Sequence, residues 1–184
     1  LSLPGVPYLY YGEEIAMKGE KPDENIRLPM QWNTSSNAGF TSGSPWISPN
    51  ANYSEFNVAL LQQDTNSIWN HYRKWIKIRK EKPVFTAGRY QGLGSSIDSI
   101  FSFLRVDNST DEMVLIIHNL SDQNQTGFII NSISSDIPSG VFNLINIHDS
   151  NSIGTLIINT AGGFSFNLTN LTLGPYSSMV LSLQ

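Results

Sequence analysis

The sequence predicts an α/β segment followed by an all-β domain, divided into residues 1–82 and 83–184, and three observations carry that prediction. Residues 6–11, "VPYLYY", form one unbroken apolar and aromatic run between Pro4-Gly5 and Gly12. Such a run is the pattern of a strand buried on both faces, as in a parallel sheet. From Ser67 the apolar residues Ile68, Tyr72, Trp75 and Ile76 recur at helical spacing, with Arg73, Lys74, Lys77 and Lys80 on the other face. That spacing predicts an amphipathic helix over 67–82, ended by Pro83. After Pro83 come short β-rich runs, "SIFSFLRV", "MVLIIHNL", "TGFIIN", "GVFNLINI", "TLIIN", "FSFNLT" and "SSMVLSL", separated by Asn, Asp, Ser and Gly. Regularly spaced runs of this kind predict an antiparallel β-sandwich.

The segments between these elements follow from local chemistry. "GEEIAMKGEKPDENIR", residues 12–27, is a charged loop at the end of the predicted strand. Residues 33–57 are polar and dotted with Asn, Ser, Gly and Pro, and read as a long irregular excursion of the kind that is functional or stabilising. Beyond Pro83 the two basic residues, Arg89 and Arg105, and the seven acidic ones, Asp136 among them, are scattered singly and read as solvated turns. Trp32, flanked by Leu28 and Met30, is expected in the core.

Composition narrows the function classes. A length of 184 residues with 40% hydrophobic content builds one large or two modest cores. The formal net charge is -4, and six of the eleven basic residues crowd into residues 73–82, which leaves no broad basic surface for nucleic acid. No stretch approaches the ~18 apolar residues of a membrane-spanning helix. The absence of cysteine excludes disulfides and cysteine-based metal or nucleophile chemistry. His71, His118 and His148 lie in separate segments, and no His/Asp/Glu spacing resembles a metal site. Seven Asn-x-Ser/Thr triplets, at Asn33, Asn52, Asn108, Asn119, Asn124, Asn167 and Asn170, mark either a secreted glycoprotein or an Asn/Ser/Thr-rich composition. The sequence opens inside an apolar run, without a Met start or a basic leader, and reads as the later part of a longer chain.

Several motifs in order carry a resemblance. "LPGVPYLYYGEEIAM", "IRLPMQW", "NAGFTSGSPWISPNANYSEFNV" and "SIWNHYRKWIKIRKEKPVF" resemble the C-terminal part of the α-glucosidase and oligo-1,6-glucosidase branch of the α-amylase family, glycoside hydrolase family 13. The resemblance covers roughly the first 85 residues, and the β-rich remainder suits that family's C-terminal sandwich. It implies that residues 1–82 are the C-terminal portion of a (β/α)8 barrel, with residues 6–11 as its eighth strand and 67–82 as its last helix. The expected fold is thus the last strand and helix of that barrel, followed by an antiparallel β-sandwich.

The resemblance also gives the charged loop a purpose. In such barrels the chemistry sits on loops after the C-terminal strand ends, which is where residues 12–27 fall. Pyranose hydroxyls are held by planar carboxylate and guanidinium groups, and Asp23 with Arg27 supplies both. In the resembled family an arginine just before "PMQW" fixes the terminal glucose, and Arg27 occupies that position; Asp23 matches the spacing of a sugar-binding Asp in amylase relatives, where many α-glucosidases carry a longer insertion. The alternative for both is an ion pair of Arg27 with Asp23 or Glu24 that pins the loop. Glu13 and Glu14 are adjacent, so their side chains diverge on a strand, and they read as loop-orienting groups. Tyr10, Tyr11, Trp32 and Trp46 are candidates for stacking on sugar faces, with the core the preferred place for Trp32.

The resemblance places the catalytic nucleophile, the general acid, the third carboxylate and the calcium ligands upstream of these residues. No catalytic residue and no cofactor is therefore expected in this chain, which alone should be inactive; its expected partners are an α-glucoside oligosaccharide and the N-terminal remainder of the barrel. Two other classes remain open. One is a non-catalytic, transporter-associated glycoprotein of the same fold family, which would need a membrane anchor. The other is a stand-alone carbohydrate-binding β-sandwich, which a row of exposed coplanar aromatic residues would favour.

Overall fold

Ser67 begins the long helix of the chain. Its hydroxyl accepts the Asn70 N–H at 3.2 Å and donates to the Leu61 carbonyl at 2.6 Å, so one side chain caps the helix and ties it to the turn before it. A short helix, α1 (Val58–Leu61), precedes it and is capped by Asn57, whose Oδ1 accepts the Leu60 N–H at 3.0 Å. The long helix, α2, spans Ile68–Glu81, as its periodicity predicts. Its buried residues are Trp75, Ile78 and Arg79, whereas Ile68 and Ile76 are exposed. Arg79 is buried because its guanidinium donates to the Leu1 carbonyl at 2.6 Å.

The computed structural model describes residues 1–133 and 137–184, so Asp136 lies outside the described residues. The chain divides into two compact units, Leu1 with Val6–Glu81, and Ser2–Gly5 with Lys82–Gln184. The described residues of the first unit contain no strand. The predicted strand at residues 6–11, expected to pair only with neighbours from outside this chain, is therefore not formed within this unit. These residues pair with nothing in a ladder, and their side chains are open to solvent, with Tyr8 91% and Val6 77% exposed. A parallel strand exists only through neighbours that take up its N–H and C=O groups, and no segment of this unit supplies them.

The second unit is all antiparallel β, with strands β1 (Arg89–Ser95), β2 (Ile100–Asp107), β3 (Glu112–Asn119), β4 (Gln125–Ser132), β5 (Gly140–Asn146), β6 (Ser152–Ile158), β7 (Phe164–Leu173) and β8 (Ser178–Leu183). Their order is β6-β5-β8-β3-β2-β1-β4-β7. β1 pairs with β2 through residues 89–93 and with β4 through residues 94–95, so it turns the corner of the sheet. The terminal strands β6 and β7 come beside each other. The result is one curled, nearly closed sheet; the antiparallel all-β character matches the sequence reading, while the layering is continuous through β1 where two separate sheets were expected.

Alternation along the strands places the core. Leu104 and Val106 of β2, Met113, Leu115 and Ile117 of β3, and Leu181 and Leu183 of β8 point into one cluster with Phe128, Ile130, Leu144, Leu156 and Leu168. The opposite face of β2 and β3 is buried as well. Phe103, Arg105, Val114 and Ile116 are all fully inaccessible, and the 3-10 turn Pro83–Phe85 packs against these two strands.

Arg105 corrects the reading of scattered charges as solvated turns. Its side chain is fully buried in β2 and donates to the Ser2 carbonyl at 2.9 Å and the Gly88 carbonyl at 2.6 Å. A guanidinium there fastens two main-chain segments across the second face of the sheet. Asp107 is also buried, and its Oδ1 accepts the N–H and hydroxyl of Ser109, which hold its carboxyl below the usual range. Lys82 and Glu112 pair at 2.7 Å, partly shielded from solvent.

Two predictions follow from this face. Arg105→Met removes two charge-assisted bonds and strands two buried carbonyls, which should destabilise the second unit by about 3 kcal/mol; urea unfolding of the variant checks this. His118 lies on the same face, between Ser2 Oγ at 3.2 Å and Ser178 Oγ at 2.6 Å, and its ring stacks on Phe101. Burial lowers its pKa from the ordinary 6.5 to about 4. A histidine whose folded pKa is depressed contributes stability that is fully present above pH 6.5 and is lost as pH falls from there towards 4. His118→Gln should therefore lose less stability than the wild type between pH 7 and pH 4.5, and NMR should find the wild-type ring neutral at pH 5.5.

Candidate functional site

The loop at the candidate site is held by one extended segment, residues 29–33. Pro29 and Gln31 face inward while Trp32 is 48% exposed, so the expectation of a core Trp32 is corrected: in an extended chain alternate residues face opposite ways, and Gln31 took the inner position. The backbone of this segment is paired on both sides. Trp32 and Asn33 donate their N–H groups to the Ala38 carbonyl at 2.9 and 3.1 Å. Val58 and Ala59 donate theirs to the carbonyls of Gln31 and Trp32, each at 3.0 Å.

This pairing explains why "PMQW" is followed by "NAGF". Asn37, Ala38 and Gly39 all have positive φ, which turns the chain so tightly that one carbonyl meets two N–H groups. Asn37 stabilises the turn by donating through Nδ2 to the carbonyls of Thr41 at 3.3 Å and Gly43 at 2.9 Å. Gln31 is wholly buried, and its Nε2 donates to the Phe56 carbonyl and to Asn52 Oδ1. Sequence reasoning passed over Gln31, although a lone amide inside an apolar run is the signal of a buried polar anchor.

Arg27 and Asp23 stand at the entrance to this segment. Asp23–Ile26 is a 3-10 turn, and Arg27 ends it by donating its N–H to the Glu24 carbonyl at 3.3 Å. The two side chains are brought together, with Arg27 Nη2 at 3.5 Å from Asp23 Oδ2, and both are 61% exposed. A pair this long and this solvated contributes little to stability, so the guanidinium keeps most of its donors for another partner. A cavity beside the loop is lined by Tyr10, Tyr11, Glu13, Met17, Ile26 and Leu28, the neighbours of Arg27.

The aromatic residues of this unit are fixed by their hydroxyls. Tyr11 donates to the Leu28 carbonyl at 3.0 Å, and its phenol pKa is raised by burial first and by Tyr10 next. Tyr72 of α2 donates to Glu13 at 3.3 Å, and burial together with that carboxylate raises its pKa. Glu14 accepts the Gly12 N–H at 2.8 Å. Glu13 and Glu14 thus orient the loop through separate partners. Trp46 is exposed and the three histidines do not converge; among the described residues no group of three or more His, Asp or Glu side chains is placed to hold a metal. Among the described residues no helix is long and apolar enough to cross a membrane.

Comparison with known proteins gives this arrangement its family. Residues 1–88 match the α-amylase catalytic domain. The oligo-1,6-glucosidase of Parageobacillus thermoglucosidasius is 32% identical over 158 aligned positions, covering 66% of this chain and 28% of that protein. The trehalose-6-phosphate hydrolase of Bacillus subtilis is 30% identical over 217 positions, covering 98% of this chain and 36% of that protein. The crystal structure of trehalulose synthase from Pseudomonas mesoacidophila MX-45 is similar at a TM-score of 0.61 and 29% identity, over 88% of this chain and 26% of that one. The chain spans about a quarter to a third of the length of these proteins. It belongs to the α-amylase family, glycoside hydrolase family 13, through residues 1–88.

Gln31 gives the prediction for this part of the molecule. Gln31→Leu deletes two buried hydrogen bonds and leaves the Phe56 carbonyl without this donor, which should cost about 1–3 kcal/mol. Gln31→Glu should cost more at neutral pH, because it sets a carboxylate against the Phe56 carbonyl and Asn52 Oδ1. Thermal unfolding of both variants checks the order.

Proposed function

We propose that this chain is the C-terminal part of a retaining α-glucoside hydrolase of the α-glucosidase type, acting on maltose-like or isomalto-oligosaccharide-like substrates. In this reading residues 1–82 complete a (β/α)8 barrel and residues 83–184 form the C-terminal all-β domain that follows it. One observation carries the reading: the match to a family hydrolase runs through 98% of the chain, across both units, which a stand-alone sugar-binding module would not require. Retaining hydrolysis needs two carboxyl groups about 5 Å apart across the scissile bond. The carboxylates lining the cavities beside Tyr10 and Tyr11 are Glu13 and Glu14, already engaged by Tyr72 and Gly12. On the family resemblance, the reacting carboxylates, and any calcium, are supplied by barrel segments outside these 184 residues.

The role of this chain is then to bind and orient. Arg27, whose pairing with Asp23 is long and solvated, offers donors to adjacent hydroxyls of the terminal glucose, and Asp23 supplies acceptors beside it. The intact mass of the protein at its source tests the frame: roughly three times the 20.5 kDa of this chain is expected from the share of its relatives that it spans, and an intact mass of 20.5 kDa with activity on maltose would overturn it.

Arg27→Ala in the complete enzyme should lose about 1.5–3 kcal/mol of transition-state binding, roughly 10- to 150-fold in kcat/KM on maltose or isomaltose. Arg27→Lys should recover little, because a single ammonium cannot bond two hydroxyls as a planar fork does. If Arg27 merely braces its loop, Asp23→Ala will be equally harmful and the melting temperature will fall with activity; near-wild-type kinetics in a folded Arg27→Ala would defeat the sugar-anchor role.

A further inference from the structure

The seven Asn-x-Ser/Thr triplets play no part in the hydrolase reading, and the structure sorts them into two groups. In the first group the asparagine builds the fold. Asn33 Oδ1 accepts the N–H of Ser35 at 2.9 Å and also its hydroxyl. Asn119 Oδ1 accepts the N–H of Ser121 at 3.0 Å and its hydroxyl at 2.7 Å, while its Nδ2 donates to the carbonyls of Gln123, Leu173 and Gly174. Asn52 Oδ1 takes the amide of the buried Gln31. These three triplets end in serine, and for Asn33 and Asn119 the triplet is an Asx turn that needs no further explanation.

The second group, Asn108, Asn124, Asn167 and Asn170, is different in every respect. All four are exposed, and among the described residues their side-chain amides make no hydrogen bond. All four triplets end in threonine. Asn108 sits in the turn between β2 and β3, and Asn124 sits just before β4. Asn167 and Asn170 lie on β7, where asparagine is a poor strand former and neighbouring Ser165, Thr169 and Thr172 already supply polarity.

We propose that Asn108, Asn124, Asn167 and Asn170 are acceptors of N-linked oligosaccharide, and that Asn33, Asn52 and Asn119 are not. The donor is a lipid-linked oligosaccharyl pyrophosphate. The asparagine Nδ2 bonds to the anomeric carbon as the anomeric C–O bond to pyrophosphate breaks; the electron pair leaves with the lipid pyrophosphate, and Nδ2 gives one proton to the transferase. The hydroxyls of Thr126 and Thr172, the third residues of two of these triplets, lie 2.9 Å apart across β4 and β7. Transfer that uses those hydroxyls therefore precedes pairing of the two strands, and the fold decides which sugars can be carried afterwards. A sugar on Asn119 would break its contacts with three carbonyls at a site 1% exposed.

The test is to isolate the folded protein from its source, release N-linked sugars with peptide N-glycosidase in 18O-water, and map labelled aspartate by peptide mass spectrometry. Label is expected at all four exposed sites and at none of Asn33, Asn52 and Asn119. Absence of label from any of the four overturns that assignment, and label at Asn33, Asn52 or Asn119 overturns the structural sorting. In the same host, Asn108→Gln with Asn124→Gln should remove only the label at those two positions and leave Asn167 and Asn170 labelled.

Discussion

Main-chain pairing of residues 31–33 is the constraint on which the first unit depends. This unit has no described strand and one long helix, so its backbone groups cannot be satisfied in a sheet. They are satisfied instead by tying one extended segment to a left-handed turn at residues 37–39 on one side and to the start of α1 on the other. Gln31 closes the arrangement from inside, through an amide that reaches Phe56 and Asn52. The candidate site is positioned from this anchor: Leu28 receives the Tyr11 hydroxyl, and Arg27 leaves the segment at its entrance.

The second unit solves a different problem, the burial of both faces of β2 and β3. One face carries the main core, and the other is covered by the turn Pro83–Phe85 and crossed by polar side chains with defined partners. Arg105 and His118 are costly to bury, and each is retained with hydrogen-bonding groups around it. Through Arg105 the Ser2 and Gly88 carbonyls are tied to the same guanidinium.

The chemistry of the candidate site follows from what is engaged and what is left available. Glu13, Glu14, Tyr11 and Tyr72 are all spent on one another or on the backbone, so they shape the loop. Arg27 makes one long, exposed contact. The guanidinium thus keeps most of its donors available beside a cavity lined in part by Tyr10 and Tyr11.

The sequence by itself determined the helix α2, the antiparallel run of short strands after Pro83, and the family, because each is written in local spacing or in contiguous motifs: the recurrence of Tyr72, Trp75 and Ile76, the alternation in "MVLIIHNL", the order of "YYGEE", "PMQW" and "NAGF". It also marked Asp23 and Arg27 as neighbours, since four residues in a tight turn bring them together whatever lies around them. Only the tertiary structure decided that residues 6–11 find no ladder partner in this unit, that Gln31 rather than Trp32 turns inward, that Arg105 is buried, and that β1 carries the sheet round its corner. Each of these depends on groups distant in the chain: a ladder partner, a carbonyl at Phe56, Ser2 or Gly88, a second strand at β4. Periodicity reports which face of an element is apolar, but which residue finds a partner is a property of the whole fold.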